Sequence, residues 1–561
     1  MAKWIIGATD TSCPLPERVL RARGVEDKEA FLNPDFSTQL HSPALFPQMA
    51  AAVERIARAA VSGETVCIAG DYDVDGVSSS ALLYRLLQHI EVDAAVYLPH
   101  RIHDGFGFTP EVVDRALEQG ASLIITVDNG ITAAAAVARA VKNGMDVIIT
   151  DHHYPTEGIP KGAVAVINPA IPESGYPFSE LCGAGVVYKL VDAVLSDRVE
   201  RGESTVEERE RFLKWNMDLV ALATVADVVE LVEENRVLAY FGLTVLRKSR
   251  KPGIRELCRV AACKTIDSET VAFRLAPRLN AAGRLDDPAA AFRLLVTEDR
   301  DEARELAEQL EKLNQQRQGM LRRAVSAARE QAERQICDGE RILILENDGW
   351  HPGIVGLIAG RISDRYNMPA LAFFSDEQKA NWTASCRSLP AFDLTEMLAR
   401  FQGLFVRSGG HALAAGLTVA TENFPLFRES LFSYARKVLR DCVTAGEIRI
   451  DALARVCELT LDNCAALQRL APFGQGNREP LLRINALKLT ESRRVGSEGS
   501  HFRFIARGKG HSIVGIGFSL GDLAETFPAG AIVDCAAHLR FNEYLGRQSP
   551  QLILVDMKSA I

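Results

Sequence analysis

The chain has 561 residues, 47% of them hydrophobic and 24% charged, and a net charge of −9. That length divides into two to four domains, the composition excludes a mainly disordered chain, and the negative balance argues against a general polyanion binder, though nucleic acid can still sit in a locally basic groove. Eleven cysteines with no C-x-x-C pair speak against a zinc module or disulfide framework; with no signal-like h-region at Met1–Asp10 and no apolar run near the roughly 18 residues of a membrane span, a cytoplasmic protein without membrane association is expected.

Residues 1–50 are proline-punctuated and irregular, with one helical piece at Pro16–Gly24. From about 51 to 170 short apolar strands alternate with helical stretches, the spacing of a doubly wound parallel sheet. Val66–Gly70 runs into Asp71-Tyr72-Asp73-Val74-Asp75-Gly76, and a helix-forming stretch follows from Ser78 to Ile90. Leu123–Val127 ends in Asp128-Asn129-Gly130, and Asp146–Thr150 ends in Asp151-His152-His153. Each continuous apolar strand breaks into polar residues at the same end, as in a buried parallel sheet, whose ligands bind beyond the carboxyl ends of its strands.

Three carboxylates at alternate positions repel one another unless protons or a cation sit among them. Asp-x-Asp-x-Asp-Gly also opens a calcium-binding EF-hand loop, but that loop needs a glutamate at its twelfth position, where Leu82 stands, and is entered from a helix rather than a strand. A solvated acidic turn is the plainer alternative for the triplet alone. Asp71, Asp73 and Asp75, then Asp128, then Asp151, His152 and His153, give carboxylates plus imidazole at one sheet edge, a set suited to Mn²⁺ or Mg²⁺. At least five donors make room for two such ions, the usual device for phosphoester cleavage. Adjacent His152 and His153 point opposite ways in extended backbone, so one can ligate metal while the other meets a phosphate or orients a ligand; for the pair alone, two surface histidines after a strand are the plainer alternative.

Asp73-x-Asp75, Asp128 and Asp151-His152-His153 resemble the successive motifs of the DHH phosphoesterase superfamily, and Leu222-Ala223-Thr224-Val225-Ala226-Asp227 resembles its fourth motif. The resemblance implies that Asp73, Asp75, Asp128, His152 and Asp227 hold two divalent ions, with His153 beside the scissile phosphate. Small members carry His where this chain has Ala69 and Asn where it has Asp71, so Asp71 either replaces a ligand or shapes the loop. Arg101–Phe108, Ala276–Leu285 and Ser408–Gly416 resemble stretches of the superfamily's exonucleases specific for single-stranded DNA, from about residue 15 to the C-terminus. That branch implies 5′→3′ release of 5′-mononucleotides in recombination and mismatch repair, with single-strand-binding protein and other repair proteins as partners of a monomer.

Thr297–Ile336 reads as one charged helix of roughly 60 Å with Leu306, Leu310, Leu313, Met320 or Leu321 and Val325 on a heptad-like seam. A coiled coil is the alternative, but Arg317 interrupts the seam. The resemblance implies a helix joining the catalytic domain (51–297) across 298–340 to a second α/β, DHH-associated domain (341–445). There Ser385, Arg387, Gly410 and His411 offer hydroxyl, guanidinium, close backbone approach and imidazole to a phosphate. The resemblance gives them the 5′-phosphate, with Arg101, Arg278, Asn280 and Arg284; for the arginines alone a structural ion pair is an equal reading.

The segment 446–561 alternates apolar and polar residues in short runs separated by turns, the pattern of a small β-barrel. Arg478, Arg483, Lys488, Arg493, Arg494, Arg503, Arg507 and Lys509 face only Glu479, Glu491 and Glu498 over that window, and Phe502, Phe504 and Phe541 are candidate base-stacking surfaces. Basic charge with interleaved aromatics is how OB folds track a single strand, although each Phe alone is as readily core. The resemblance independently implies an OB fold here. The leading expectation is a two-metal 5′→3′ exonuclease on single-stranded DNA. Two alternatives share the fold: a phosphoesterase for short oligonucleotides, cyclic dinucleotides or pyrophosphate, and a replication scaffold that has lost its ligands.

Overall fold

The structure is a computed structural model, described for residues 3–101, 107–155, 158–376, 378–440, 447–508, 510–544 and 546–560. Ile102–Phe106 of the Arg101–Phe108 stretch, and Lys509, lie outside the described residues. The chain forms two compact units, one of residues 41–229 and 241–444, the other of residues up to 40, 230–240 and from 445 onward.

In the larger unit, five parallel strands form a sheet in the order Ala94–Tyr97, Thr65–Ala69, Ala121–Val127, Asp146–Thr150, Ala165–Ile167. The β-branched runs of the three central strands, Thr65–Ala69, Ala121–Val127 and Asp146–Thr150, are buried on both faces, which is why they read as continuous apolar segments. The chain leaves Thr65–Ala69 for the strand on one side, then crosses to Ala121–Val127 on the other. The exits of these two neighbours therefore flank a topological switch point, where open α/β sheets leave a crevice.

Two helices fix what lines that crevice. Val74–His89 starts directly after the first strand, with the Asp73 carboxylate accepting the backbone N–H of Asp75 (3.0 Å) and Gly76 (3.1 Å) as its N-cap. Val206–Ala226 opens with a Thr205/Glu208 capping box, is buried almost continuously from Asn216 to Val225, and ends at Asp227.

The helix Arg300–Cys337 is 38 residues long, about 57 Å at 1.5 Å per residue. Its first half buries Ala303, Leu306, Ala307 and Leu310 against the helices Pro252–Val260, Ala276–Leu285 and Ala289–Val296. Its second half buries Leu321, Ala324, Ala328 and Ala332 against Leu343, Leu345, Ile358 and Ala370. It spans two bodies rather than pairing with one helix. Small alanines set the second contact, and the expected seam residues Leu313 and Val325 are only half-buried.

Beyond it lies a mixed sheet in the order Phe405–Gly410, Ala414–Ala420, Asn381–Arg387, Ala370–Ser375, Leu343–Glu346, parallel only between the last two. In the smaller unit, Leu482–Val495, His501–Gly508, His511–Gly517, Arg547–Ser559 and Ile532–Tyr544 close into a barrel, because the first also pairs with the last. The N-terminal segment is not merely irregular: Lys3–Ala8 pairs in parallel with Glu447–Ala454, which extends the barrel's sheet.

Candidate metal centre and phosphate pocket

Asp73, Asp75, Asp128, His152 and Asp227 come from separate stretches of the chain and converge beyond the strand ends. His152 Nε2 lies 3.1 Å from Asp128 Oδ1 and 3.8 Å from both Asp75 Oδ2 and Asp227 Oδ2. Donor atoms of Asp75, His152 and Asp227, of Asp71, Asp73 and Asp128, and of Asp128, His152 and His153 form three groups, each within 4.8 Å. The expected ligands thus share one cluster, Asp71 included.

The electrostatics say what this cluster lacks. Burial and the neighbouring carboxylates raise Asp75 and push Asp128 well above the ordinary carboxylate range; Asp71 is pushed up to about 7 and Asp227 to about 8. Burial lowers His152 against the pull of Asp75, which keeps it neutral and able to ligate. Asp128 Oδ1 and His152 Nε2 are buried and make no hydrogen bond among the described residues. Orphaned donors facing crowded acids fit a divalent cation, and an oxygen-rich set with one imidazole suits Mn²⁺ or Mg²⁺.

Neighbouring backbone holds the donors in place. Asp75 accepts the N–H groups of Gly183 and Ala184, both at 2.7 Å, at the N-terminus of the helix Gly183–Glu200, so its negative charge meets a helix dipole. A Cβ on Gly183 would stand 2.7 Å from Asp128 Cβ, so only glycine lets the two chain segments approach. Asp128 is held at φ +62°, a left-handed conformation unusual for a non-glycine residue, with its N–H on Thr150 O at 3.0 Å. Asp151 turns inward, accepting from Ile131 N (2.9 Å), His152 N (2.7 Å) and His153 Nδ1 (2.8 Å). Burial opposes charge on His153, but the Asp151 bond and charge outweigh it and raise the imidazole to about 9. His153 is therefore a cation beside the cluster at neutral pH.

Guanidinium groups adjoin the acids. Arg101 lies 5.3 Å from the Tyr72 ring centroid, and Arg284 is close enough to Arg101 and Arg317 that burial and their charges lower it to about 10. Arg284 Nη1 donates to Gly353 O at 3.2 Å, just before the helix Val355–Tyr366. In the first turn of that helix, a Cβ on Gly356 would stand 3.1 Å from Ser385 Oγ and 3.6 Å from Arg387 Nη2. A helix N-terminus, a hydroxyl and two half-buried guanidiniums so gathered form a candidate anion pocket. Gly410 ends the exposed strand Phe405–Gly410 and His411 follows it; His411 N–H donates to Ala414 O at 2.7 Å, and Ala414 is the register partner of Arg387. Asn280 is half-buried on the helix that carries Arg284. Arg278 bonds Glu311 Oε2 (2.5 Å) and Arg274 O (2.6 Å), so its charge is already met by the long helix.

Residues 65–224 match the DHH family N-terminal domain, 339–437 the DHHA1 domain and 450–556 the RecJ OB domain. The single-stranded-DNA-specific exonuclease RecJ of Bacillus subtilis (strain 168) is 34% identical over 548 residues, covering 97% of this chain and 68% of the relative. That of Escherichia coli (strain K12) is 35% identical, covering 90% of this chain and 89% of the relative. The chain belongs to the RecJ family. The structure of RecJ from Thermus thermophilus in complex with Mn²⁺ superposes with a TM-score of 0.83 at 28% identity, over 100% of this chain and 80% of that one, and the same protein is also solved with Mg²⁺. The barrel of this RecJ-family chain is thus an OB domain, as expected from its short strands.

The barrel corrects one expectation. Phe502 and Phe504 are not stacking surfaces: both are 0% exposed and stack on each other, with centroids 5.2 Å apart, inside the core. They alternate with Arg503 along one strand, and the period of two turns both rings inward while the arginine faces out. Much of the surface charge there is neutralised. Arg503 and Arg493 pair with Glu491, and Arg494 with Asp522 and Glu525. Lys488 and Arg507, register partners on adjacent strands, are exposed and have no carboxylate partner among the described residues. Phe518 is 56% and Phe541 39% exposed.

Sequence reasoning missed four contributors. Gly183 and Ala184 left only a faint signal, a Gly-x-Gly opening an apolar helix. Gly283 sits where a Cβ would meet Tyr72 O at 2.5 Å, which packs its helix against the acidic loop. His351, whose Nδ1 accepts Gly353 N–H at 3.0 Å, neighbours Arg101 and left no signal.

Proposed function

We propose that this protein is a two-metal exonuclease that hydrolyses single-stranded DNA from the 5′ end to 5′-mononucleotides. The observation that carries this reading is the adjacency of the Asp/His cluster to the pocket of Arg284, Ser385, Arg387 and the Val355–Tyr366 N-terminus. A terminal phosphate held in that pocket would keep the scissile phosphodiester at the cluster near the end of the strand, as an exonuclease requires. The names of the relatives, single-stranded-DNA-specific exonucleases, agree with it.

Asp73, Asp75, Asp128, His152 and Asp227 would hold Mn²⁺ or Mg²⁺, with Asp71 completing the acidic wall. Such ions, when bound, neutralise charge on the phosphate and make a water acidic enough to attack near neutral pH. The chain's own groups do the rest. His153, kept protonated by Asp151, offers positive charge to the phosphate oxygens as charge builds on them. The pocket arginines fix the strand end, so that the scissile bond is positioned before reaction. Lys488 and Arg507 on the OB domain add phosphate contacts for longer strands. A DNA substrate accords with a cytoplasmic site of action and with single-strand-binding and repair proteins as partners.

The test is digestion of a 20-nucleotide single strand, phosphorylated at its 5′ end and labelled at either end, alongside a dinucleotide. Mononucleotides released first from the 5′ end, with turnover favouring the long strand, support the reading. Faster cleavage of the dinucleotide would assign the centre to a short-substrate phosphoesterase, and no cleavage of either to an inactive scaffold.

A further inference from the structure

Arg284 is also close to Arg317, and the line of guanidiniums does not stop there. Arg317 sits on the long helix, half-buried, near Arg361 and Arg278, and its Nε is buried without a hydrogen-bond partner. Arg322, five residues further along, and Arg361, on the helix Val355–Tyr366, are exposed and form no ion pair among the described residues. The nearest acid on the long helix, Glu311, is already engaged by Arg278 and Gln315. These three arginines, with Gln318, Pro277 and Phe273, line a cleft of about 440 Å³.

Phe273 is the feature a structural role does not explain. The residue is 76% exposed, although Val271 and Leu275, two residues to either side, are completely buried. It stands on a π-helical turn, Val271–Leu275, a rare geometry frequent at functional sites. An exposed aromatic face beside unneutralised guanidiniums is the combination that takes up a base and its phosphate.

We propose that this cleft is an accessory nucleotide-binding site, in which the ring of Phe273 stacks on one base while Arg317, Arg322 and Arg361 take the attached phosphate. The inference rests on the nuclease reading above. The nucleotide is either part of the single strand being degraded or the 5′-mononucleotide released from it, and both present the same base and phosphate. The volume suits one nucleotide.

The test is fluorescence anisotropy of a 3′-fluorescein-labelled oligothymidylate of 20 nucleotides with the full chain in EDTA, where binding is read without cleavage. Phe273→Ala weakens binding by roughly tenfold through loss of one stacked base. The double variant Arg322→Glu, Arg361→Glu makes the slope of log affinity against log salt shallower by about 1.4, two phosphate contacts at about 0.7 each. All three side chains are exposed, so neither change opens the core. Thymidine 5′-monophosphate, titrated against wild type and Phe273→Ala, separates the sources. Binding that depends on Phe273 assigns the site to the released nucleotide; a strand effect without it assigns the site to a nucleotide within the chain. A wild type that degrades the strand while both variants bind it within twofold as tightly, with unchanged slope, refutes the cleft alone. A flattened slope with Phe273→Ala inert reduces it to a plain anion site, such as an acidic peptide would use, and refutes the nucleotide. A wild type that neither binds nor degrades the strand refutes the nuclease reading and the cleft with it.

Discussion

Gly183→Ala places a single methyl group at a tight contact in the candidate metal centre. The new Cβ would lie 2.7 Å from Asp128 Cβ and 2.8 Å from its Oδ1. Carbon atoms settle about 3.5–4.0 Å apart, so something must move by roughly 1 Å. Asp128 is tied by its N–H to Thr150 and Gly183 by its N–H to Asp75, so any movement displaces a proposed ligand. A shift of about that size is enough to cost roughly 100-fold in rate. The overpacking itself costs about 1–3 kcal/mol of stability. The assay is steady-state release of nucleotides from a 5′-phosphorylated single strand at fixed, saturating Mn²⁺, with thermal melting run in parallel. Gly360→Ala is the control: no atom lies within 4 Å of its Cβ position, in a helix interior where alanine gains about 1 kcal/mol over glycine. A Gly183→Ala protein with kcat within threefold of wild type would refute the reasoning that these two segments must touch.

Asp128→Ala, by removing a donor central to the cluster, lowers nuclease turnover by roughly 1,000-fold, on the order of the loss of a principal electrostatic contact; digestion of DNA at the wild-type rate would sink the catalytic assignment. Metal-free protein becomes less stable as pH rises from about 4 to 8, because Asp71 (about 7) and Asp227 (about 8) hold protons in the fold that the unfolded chain, with carboxyls near 3.8, gives up. The expected fall in melting temperature is about 5–10 °C, reversed by excess Mn²⁺, and a metal-free melting temperature that rises over that range contradicts it. Phe504→Ala costs about 3–5 kcal/mol in unfolding of the barrel, as a core truncation does, whereas a base-stacking residue would lose DNA affinity with stability unchanged. Lys488→Glu with Arg507→Glu weakens binding of long strands and flattens its salt dependence by about 1.4 in slope, leaving hydrolysis of very short oligomers nearly intact; equal loss on both would place the pair at the active site or in folding.

The catalytic half was legible because its signal is local. Apolar β-branched runs ending in Asp-x-Asp, Asp-Asn-Gly and Asp-His-His name both the strand and the ligand, and parallel pairing then gathers the exits without further instruction. Asp227 was different: a helix-terminal acid has no strand to announce it, and only resemblance to a family motif picked it out. The backbone donors of Gly183 and Ala184 were invisible because a hydrogen bond from an N–H leaves no side-chain signature. In the barrel, Phe502 and Phe504 misled because interleaved aromatic and basic residues describe a stacking surface and an alternating core strand equally well. Face decides between them, and face is fixed by the neighbours at Leu482–Val495 and His511–Gly517. The sum of basic residues overstated the unpaired charge, since Asp522 and Glu525, which pair with Arg494, come from outside the window in which charge was counted. The long helix was readable in extent but not in its packing, because its seam serves two different bodies.

The most direct measurement is anomalous scattering at the manganese edge from crystals of the full chain grown with Mn²⁺. Two peaks within coordination distance of Asp75, Asp128, His152 and Asp227, and none in an Asp128→Ala crystal, are the expected result. Crystals that bind manganese elsewhere, with these four side chains arranged as they are and no peak between them, would contradict the account at its root.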